Sequence, residues 1–353
     1  MGTKRGFSAW LLLTVSLSMF GLSLPRSNPA DAEEVVNVIH YGGQFGEALR
    51  KALFDPAEAR LHIRIHDVSR TDMAKIKAMV QSGKVEWDIA NVNTLEVWRG
   101  VKEGVWEPID YSIVDRSVVG SSKEYEYGIP FVALAVGLVY STKTYPSPDK
   151  APQSWADFWD VKRFPGGRTL ENRARYVLEF ALMADGVPAG KLYPMDVDRA
   201  FKKLDQIKPS ITTWSQPPAG PAQLIADGEV VMGDMPNNEW AEAARQGVPI
   251  GWQWNQALLT TNAWTVLKGT PHKQAVMQVL REITKPDLEA KLAELTYMGP
   301  INPKAVPLVP SKVLPYVPTT PDHLKKQAVF DHEWMGAHEA ELIEKWTAWV
   351  PKK

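Results

Sequence analysis

An uncharged stretch of fourteen residues, 127–140, interrupts the mixed polar and apolar pattern in the middle of the chain. It contains glycine and proline and is too short to span a bilayer, so it predicts a buried β-strand. A polar break follows, and then Trp155, Phe158 and Trp159 form an apolar face at helical spacing behind Ser154, a candidate N-cap. A buried strand followed by a new helix predicts that the chain crosses here between two lobes.

The segment before this strand alternates between strand-like and helix-like patterns. Residues 35–41, 61–67 and 87–93 predict β-strands, and the apolar spacing after each of them predicts a helix. This order indicates a mainly parallel sheet with helices on both faces, in which ligands bind beyond the carboxyl ends of the strands. None of the candidate binding residues at these ends is acidic; they are Tyr41, Gly42, Gly43, Gln44, Asn93 and Phe131.

The rest of the chain predicts more helices and a second crossing between lobes. Helices are predicted at residues 169–185, 197–207, 221–227, 273–283, 287–295 and 323–346, and strands at residues 229–233 and 258–267. Asn172 is the predicted cap of the first of these helices, and the extended residues 258–267 are the predicted second crossing. Seven prolines between residues 300 and 321 exclude regular helix or central strand there.

The N-terminus has the pattern of an export signal. Lys4 and Arg5 precede an apolar run at residues 7–24, and Ala30-Asp31-Ala32 offers a small-residue cleavage site. This predicts a secretory signal peptide over residues 1–32, with a membrane anchor as the alternative. The chain has no cysteine for disulfide bonds or lipidation, which favours a free protein in a bacterial periplasm. The formal net charge of −1 gives no support for binding to nucleic acid or to an anionic membrane.

Several segments, taken in chain order, resemble one known family. Ser154-Trp-Ala-Asp-Phe-Trp-Asp160, followed by Phe164-Pro-Gly-Gly-Arg168, is similar to the SWADLWDPKYKGK segment of bacterial periplasmic spermidine/putrescine-binding proteins, the solute receptors of ABC importers. The further matching segments are Gly128-Ile-Pro-Phe131, Ile225-Ala-Asp-Gly-Glu-Val230, Thr265-Val-Leu-Lys-Gly-Thr270 and Gly299-Pro-Ile-Asn-Pro303. The resemblance extends over most of residues 35–305.

The resemblance implies an α/β protein with the two-lobed periplasmic-binding-protein fold of type II. Each lobe would be a mainly parallel sheet flanked by helices, and a hinge would close the lobes on a ligand in the cleft between them. Lobe 1 would comprise residues 33–139 and 264–300, and lobe 2 residues 140–263 and 301–353. The expected partners are a small-molecule solute and an inner-membrane ABC permease. We expect a monomer that binds without a cofactor and without catalysis.

Departures from the family's pattern change the expected ligand. The Trp and the acid of the family's W-x-D segment are missing in Thr260-Thr261-Asn262, and its D-x-x-E segment falls on Arg173 and Tyr176. Asn237 is retained, but the family tryptophan before it is not. Arginine is a two-pronged donor for carboxylates. These residues therefore predict a carboxylate, phosphonate or zwitterion as the ligand, rather than a simple polyamine, with Arg175 as an alternative to Arg173.

Other classes of function stay open at this point. The alternatives are a true polyamine receptor, a secreted carbohydrate-active enzyme with paired carboxylates, and a chemoreceptor partner that binds solute without transport. No G-x-S-x-G, Walker or G-x-G-x-x-G motif is present. His332 and His338 are six residues apart rather than four, so they do not share a helix face as zinc ligands do, and no metal site is predicted.

Overall fold

The computed structural model describes residues 1–2, 34–118, 123–216 and 220–350. Apart from its first two residues, the predicted signal peptide therefore lies outside the described residues. Within these ranges, no helix is both long enough and apolar enough to cross a membrane.

The first strands form a parallel group. The group contains β1 (Val35–His40), β2 (Arg64–Ser69) and β3 (Ile89–Asn93), connected by α1 (Gly43–Leu49), a π-helical turn (Arg50–Phe54), α2 (Asp55–Leu61) and α3 (Met73–Ser82). β1 lies between β2 and β3 and pairs with both in parallel, which confirms the predicted parallel sheet. β2 starts three residues later than predicted, because His62 adopts the left-handed conformation (φ 54°) that ends α2.

Polar caps and glycines fix where the helices of this group begin and end. Asp72 accepts hydrogen bonds from two backbone N–H groups at the start of α3, and Gly83 ends the helix with φ 69°. Asn93 caps α4 (Thr94–Glu103) through the N–H of Leu95. The end of β3 and the start of α4 are therefore held in one corner.

Two long strands connect this group to the rest of the sheet. β5 (Gly128–Ser141) and β9 (Ile250–Leu267) run antiparallel and pair over most of their length, and the short β4 (Trp106–Glu107) also pairs with β9. β5 is buried at all but one position, as its uncharged sequence predicts. Both predicted crossings are confirmed as strands, although β9 starts eight residues earlier than predicted because its first half also pairs with β5.

A second parallel group continues the sheet beyond β5. It contains β6 (Arg168–Glu171), β7 (Ile211–Ser215) and β8 (Met232–Pro236), in the order β8-β6-β7. Its helices are α5 (Trp155–Trp159), α6 (Val177–Ala184), α7 (Val197–Ile207), α8 (Pro221–Ala226) and α9 (Asn237–Arg245). The helix predicted at residues 169–185 is wrong in its first half, because β6 occupies that position and the helix starts only at Val177. Asn172 does not cap it, and its side chain instead accepts a hydrogen bond from the indole of Trp346 (2.9 Å).

The C-terminal part of the chain returns to the middle of the sheet. Its elements are α10 (Lys273–Ile283), α11 (Pro286–Thr296), β10 (Gly299–Pro300), α12 (Pro321–Leu324), β11 (Ala328–Val329) and α13 (His332–Trp349). The proline-rich segment forms only short turns and a two-residue strand, as predicted. The terminal helix begins nine residues later than predicted, because β11 pairs with β9 before the helix starts.

Separate hydrophobic cores support the two parallel groups. In the first core, Phe131 of β5 stacks on Trp264 of β9 with ring centroids 4.2 Å apart. In the second, Trp155 of α5 stacks on Phe180 of α6 at 3.8 Å. Stacked aromatic pairs bury a large apolar area, so each group has its own packing and the crossing strands connect the two.

The register of the sheet places the carboxyl ends of the two parallel groups opposite each other. β3 ends at Asn93, whose partner on β9 is Asn262, and Asn262 pairs in turn with Val132 of β5. β8 ends at Pro236, which pairs with Val136 of β5. Four steps along β5 separate the two ends, or about 13 Å at the rise of a strand. Because ligands bind beyond carboxyl ends, this gap is the expected binding region.

Candidate functional site

Four of the predicted binding residues come together at the end of the first parallel group. The Tyr41 hydroxyl accepts a hydrogen bond from the backbone N–H of Asn93 (2.7 Å). The Asn93 side-chain amide donates to the Thr260 hydroxyl (3.4 Å) and to Asn262 Oδ1 (3.5 Å). Tyr41 is 45% exposed, yet burial around its hydroxyl raises the pKa of the phenol to about 12. The side of the gap next to the end of β3 is therefore lined by uncharged side chains that form hydrogen bonds.

A buried histidine supports these residues from behind. Nε2 of His332, at the start of α13, lies 3.0 Å from the Thr260 hydroxyl and accepts from the N–H of Thr261 (3.5 Å). Burial, together with the nearby Arg175, lowers the pKa of His332 to about 3, so the ring is neutral at physiological pH. In the part of the chain that the structure describes, no cluster of three or more His, Cys, Asp or Glu side chains could hold a metal ion.

Two arginines stack on Tyr176, which precedes α6. The guanidinium carbons of Arg173 and Arg175 lie 4.6 and 5.3 Å from the centroid of the Tyr176 ring. Tyr176 has φ 73°, a conformation that costs a non-glycine residue about 1–3 kcal/mol and that clusters at functional sites. Arg175 also interacts electrostatically with the Tyr41 hydroxyl, so this arginine lies close to the group of Tyr41, Asn93, Thr260 and Asn262.

Three carboxyl groups lie on the other side of Arg173. Glu171, the last residue of β6, forms an ion pair with Arg173, and its backbone N–H donates to Asp234 Oδ1 (2.8 Å). Burial, together with the charge of Glu171, raises the pKa of Asp234 to about 7, and the same two causes raise the pKa of Glu239 to about 7. Burial also raises the pKa of Glu171. The gap therefore has a cationic and an anionic pole.

These charged groups line one small cavity of about 240 Å³, and a large cavity of about 400 Å³ adjoins it. The small cavity is lined by Glu171, Arg173, Tyr176, Asp234 and Glu239, with Leu134 and Val136 of β5 as an apolar wall. The two cavities share Gly220, Met235 and Glu239. Pockets for drug-sized ligands occupy about 300–1,000 Å³, so the small cavity by itself suits a smaller solute.

Several buried polar atoms at the small cavity have no partner within the protein. Among the described residues, Glu171 Oε1, Asp234 Oδ2 and Arg173 Nε are buried without a hydrogen bond, as is Arg175 Nε nearby. Leaving such an atom unpaired costs about 1–3 kcal/mol, so native proteins contain few of them. Unpaired acceptors beside unpaired donors fit a ligand that carries both a cationic and an anionic group.

Two of the predicted binding residues are packed inside the protein. Phe131 is fully buried against Trp264. Asn237 is also fully buried, and its side chain accepts from the N–H of Ala135 (2.8 Å) and donates to the carbonyl oxygens of Tyr297 and Tyr316 (2.9 Å each). Neither side chain lines the small cavity; both stabilise the sheet and the helix behind it.

The glycine turn after β1 shapes the backbone next to Tyr41. Gly42 has φ 83°, and a Cβ at this position would lie 2.6 Å from the Cβ of Ser69, so a side chain does not fit. Its N–H donates to Nδ1 of His40 (3.0 Å). Gly43 opens α1, and Gln44 lines the large cavity rather than the small one.

The acidic pole was missed because the strands that position it were misplaced in the sequence analysis. With residues 169–185 predicted as a helix, Glu171 falls in a first turn, where an acid is common. The strand predicted at residues 229–233 stops one residue before Asp234, which lies inside β8. The sequence analysis identified no acidic residue at the strand ends, and the structure corrects this with Glu171 at the end of β6 and Asp234 near the end of β8. For Asp234 a usable signal was the apolar run Val230-Val231-Met232, which ends two residues before it.

Comparisons with known proteins agree with this architecture, which is that of a two-lobed binding protein. The family model for bacterial extracellular solute-binding proteins matches residues 57–319. The gamma-aminobutyric acid-binding protein of Pseudomonas aeruginosa is 36% identical, over 95% of this chain and 96% of that protein. The spermidine/putrescine-binding periplasmic protein of Escherichia coli is 24% identical, over 65% of this chain and 66% of that protein. The solved structure of a GABA receptor has a TM-score of 0.82 at 30% identity and covers 91% of this chain and 98% of its own.

The chain belongs to the bacterial extracellular solute-binding protein family. The predicted family resemblance, the two-lobed α/β fold and the function of a solute receptor of the ABC-importer class are confirmed.

Proposed function

We propose that this protein is the periplasmic receptor of an ABC importer for a zwitterionic ω-amino acid of the 4-aminobutyrate class. The observation that carries the proposal is the lining of the small cavity, in which Glu171, Asp234 and Arg173 each have a buried side-chain atom without a hydrogen-bond partner. Relatives named for GABA match nearly the whole chain, whereas the polyamine-binding relative matches about two thirds of it. These likenesses support the same choice of solute.

The two poles of the cavity assign the two ends of the solute. The carboxylate binds Arg173, whose planar guanidinium presents donors in a fixed fork. The ammonium group binds Glu171 and Asp234 through the oxygens that the protein leaves unpaired. The methylene groups between them pack against Leu134 on β5. Each charge then enters the cavity with a partner, which a buried charge requires.

The acidic pole also gives some support to the alternative of a polyamine. Glu171, Asp234 and Glu239 are suitable partners for ammonium groups. A diamine, however, brings a second positive charge towards Arg173 and leaves Arg173 Nε unpaired. A zwitterion satisfies both poles, so we favour it.

We place the hinge in β5 and β9, between a first lobe of residues 33–139 and 264–300 and a second lobe of residues 140–263 and 301–353. The pairing of these strands shifts register between Pro130 and Val132 and again between Val136 and Leu138, on either side of the gap. Such irregularities bend a strand. A solute that touches both lobes favours the closed state by its excess affinity for that state, and the permease recognises the closed monomer. Residues 1–32 are proposed to act as the signal peptide that exports the protein to the periplasm.

Isothermal titration calorimetry on the purified protein tests the choice of solute. We expect 4-aminobutyrate to bind, and butyrate and butylamine to bind at least about tenfold more weakly, because each lacks one charge-assisted contact worth about 1.5–3 kcal/mol. Tight binding of putrescine or spermidine without binding of 4-aminobutyrate would refute the proposal. Recovery of unchanged solute after prolonged incubation, checked by NMR, separates a receptor from an enzyme.

A further inference from the structure

The large cavity adjoins the small cavity on the side of the acidic pole, where the ammonium group of the solute is proposed to bind. It shares Met235 and Glu239 with the small cavity, whereas Arg173, Glu171 and Asp234 line the small cavity alone. Because Glu239 belongs to the acidic pole, a solute with its carboxylate on Arg173 and its amino group at that pole has the large cavity beyond its amino end. With a volume of about 400 Å³, this second space is too large to be explained by a solute of the size of 4-aminobutyrate.

The lining of the large cavity is rich in hydrogen-bond acceptors and contains no basic side chain. Its carboxamide and carboxyl side chains are those of Gln44, Gln223, Asn238, Glu239, Glu242 and Gln246, and Thr296 and Tyr297 add hydroxyl groups. Asn238 Oδ1 is buried and has no partner among the described residues. Carboxamides donate as well as accept hydrogen bonds, but the amide groups of Gln223 and Gln246 already donate to Asp227 and Glu242. With two carboxyl groups and the unpaired Asn238 oxygen in its lining, the cavity favours groups that donate hydrogen bonds and disfavours anions.

We propose that the receptor also binds ω-amino acids whose amino nitrogen carries a hydrogen-bond-donating substituent, hydroxylated or amine-bearing, and that the large cavity holds this substituent. The inference rests on the proposed function, because it takes the carboxylate to be on Arg173. A secondary ammonium group keeps its positive charge and two N–H donors. It therefore still donates to both Glu171 and Asp234 while its second carbon substituent passes Glu239.

Three solutes test the inference by calorimetry: 4-aminobutyrate, N-(3-hydroxypropyl)-4-aminobutyrate and N-butyl-4-aminobutyrate. The last two have the same number of non-hydrogen atoms and differ in one hydroxyl group. We expect the hydroxypropyl compound to bind within about threefold of 4-aminobutyrate, or more tightly, and about fivefold more tightly than the butyl compound, as one additional hydrogen bond allows.

Variants of the large cavity separate its role from that of the small cavity. Glu242→Leu should reduce the advantage of the hydroxypropyl compound over the butyl compound and leave 4-aminobutyrate binding unchanged. Glu229→Leu, at an exposed glutamate outside both cavities, is the matched control and should change nothing. Ala222→Phe fills the large cavity and should weaken both substituted compounds at least about tenfold without affecting 4-aminobutyrate.

The three solutes show separately whether the small cavity and the large cavity bind. If 4-aminobutyrate binds but both substituted compounds bind more than about a hundredfold more weakly, the large cavity is not part of the site. Equal affinities of the hydroxypropyl and butyl compounds would overturn the preference for donors. If none of the three zwitterions binds, the proposed function and this inference both fall.

Discussion

The side chain of Arg173 is paired with Glu171, lies over the ring of Tyr176, and still has an Nε atom without a partner. An arginine in this state does not need to lose its ion pair to receive a ligand carboxylate. The ammonium group of the same ligand can restore the balance of charge at Glu171. A zwitterion can therefore bind between Arg173 and Glu171 without adding net charge to the small cavity. A simple anion or cation would add a net charge there.

The substitution Arg173→Ala removes the proposed carboxylate contact. We expect the affinity for 4-aminobutyrate to fall by about 10- to 100-fold, the range for a hydrogen bond to a charged group. Calorimetry measures this directly, and Arg163→Ala is the matched control because Arg163 is exposed and lines neither cavity. Unchanged affinity in Arg173→Ala would remove this residue from the site.

The acidic pole makes ligand binding depend on pH. Since the pKa of Asp234 is raised to about 7, a large part of the free protein carries a proton there at pH 6. An ammonium group needs the ionised carboxylate, so binding releases a proton, and the association constant should fall by up to about tenfold per pH unit below pH 7. The solute itself does not titrate between pH 6 and 8, judging from ordinary carboxyl and amine pKa values.

Calorimetry at pH 6, 7 and 8 in two buffers with different ionisation enthalpies reports the released proton as a buffer-dependent heat. Asp234→Asn keeps an acceptor for the N–H of Glu171 but cannot ionise, so its binding should be weaker and less dependent on pH. Binding that is equally strong at pH 6 and pH 8 in the unmodified protein contradicts the assignment of the ammonium group to this pole.

Among the helices and strands, the sequence predicts correctly the ones in which the pattern of apolar residues is long and unbroken. α7 has the predicted bounds, Val197–Ile207, and β5 is displaced by only one residue at each end. β6 could not be found in this way, because it has only four residues and begins with Arg168, which is almost fully buried. The Arg168 guanidinium donates to the carbonyl oxygens of Phe158 (2.7 Å) and Gly166 (2.6 Å). Only tertiary contacts supply those partners.

The candidate site follows the same rule. Tyr41 and Asn93 were predicted because each is the last residue of a predicted strand with a clear pattern, and the structure brings them together with Thr260 and Asn262. Glu171 was missed because its strand was missed. Which of the predicted residues bind solute stays a prediction, and Arg173→Ala tests it for Arg173.

The pairing of β5 with β9 depends on a glycine at the second register shift. A Cβ at Gly137 would lie 2.7 Å from Cζ2 of Trp252 and 3.1 Å from the Cβ of Ala257. Trp252 cannot move away easily because it stacks on Trp240 at 5.3 Å. We therefore expect Gly137→Ala to lower the free energy of unfolding by about 1–3 kcal/mol, as overpacking does.

Urea unfolding measures this change. Gly190→Ala is the matched control, because a Cβ there meets no atom within 4 Å and its backbone does not require a glycine. Equal stability of the two variants would show that the strand pair adapts to the additional methyl group, and β5 would then be less tightly packed at the proposed hinge than the structure indicates.

For the molecule as a whole, stability depends on buried carboxyl groups as well as on the two hydrophobic cores. Glu179 on α6 accepts a hydrogen bond from the Tyr193 hydroxyl (2.7 Å), and burial raises its pKa to about 7. Glu289 on α11 accepts from the N–H of Asn302 (2.8 Å), and burial raises its pKa to about 8. With no cysteine in the chain, no disulfide bond offsets a loss of stability at these positions.

A carboxyl group whose pKa is raised by folding binds its proton more tightly in the folded state, so it destabilises the protein as pH rises towards the raised value. For Glu289 this applies between about pH 4.5 and pH 8. We choose the interval from pH 6.5 to pH 8, where His332 is neutral in the folded state and at most half protonated in the unfolded state, so that its opposing effect on stability is small. Without ligand, Glu289 alone should lower the free energy of unfolding by about 2 kcal/mol over this interval, at about 1.4 kcal/mol per pH unit.

Urea unfolding of the unmodified protein and of Glu289→Gln at both pH values tests this, since glutamine keeps an acceptor for Asn302 but does not ionise. A pH dependence of the same size in both proteins would mean that Glu289 is ionised in the folded state, and the burial of α11 against the proline-rich segment would have to be looser than described.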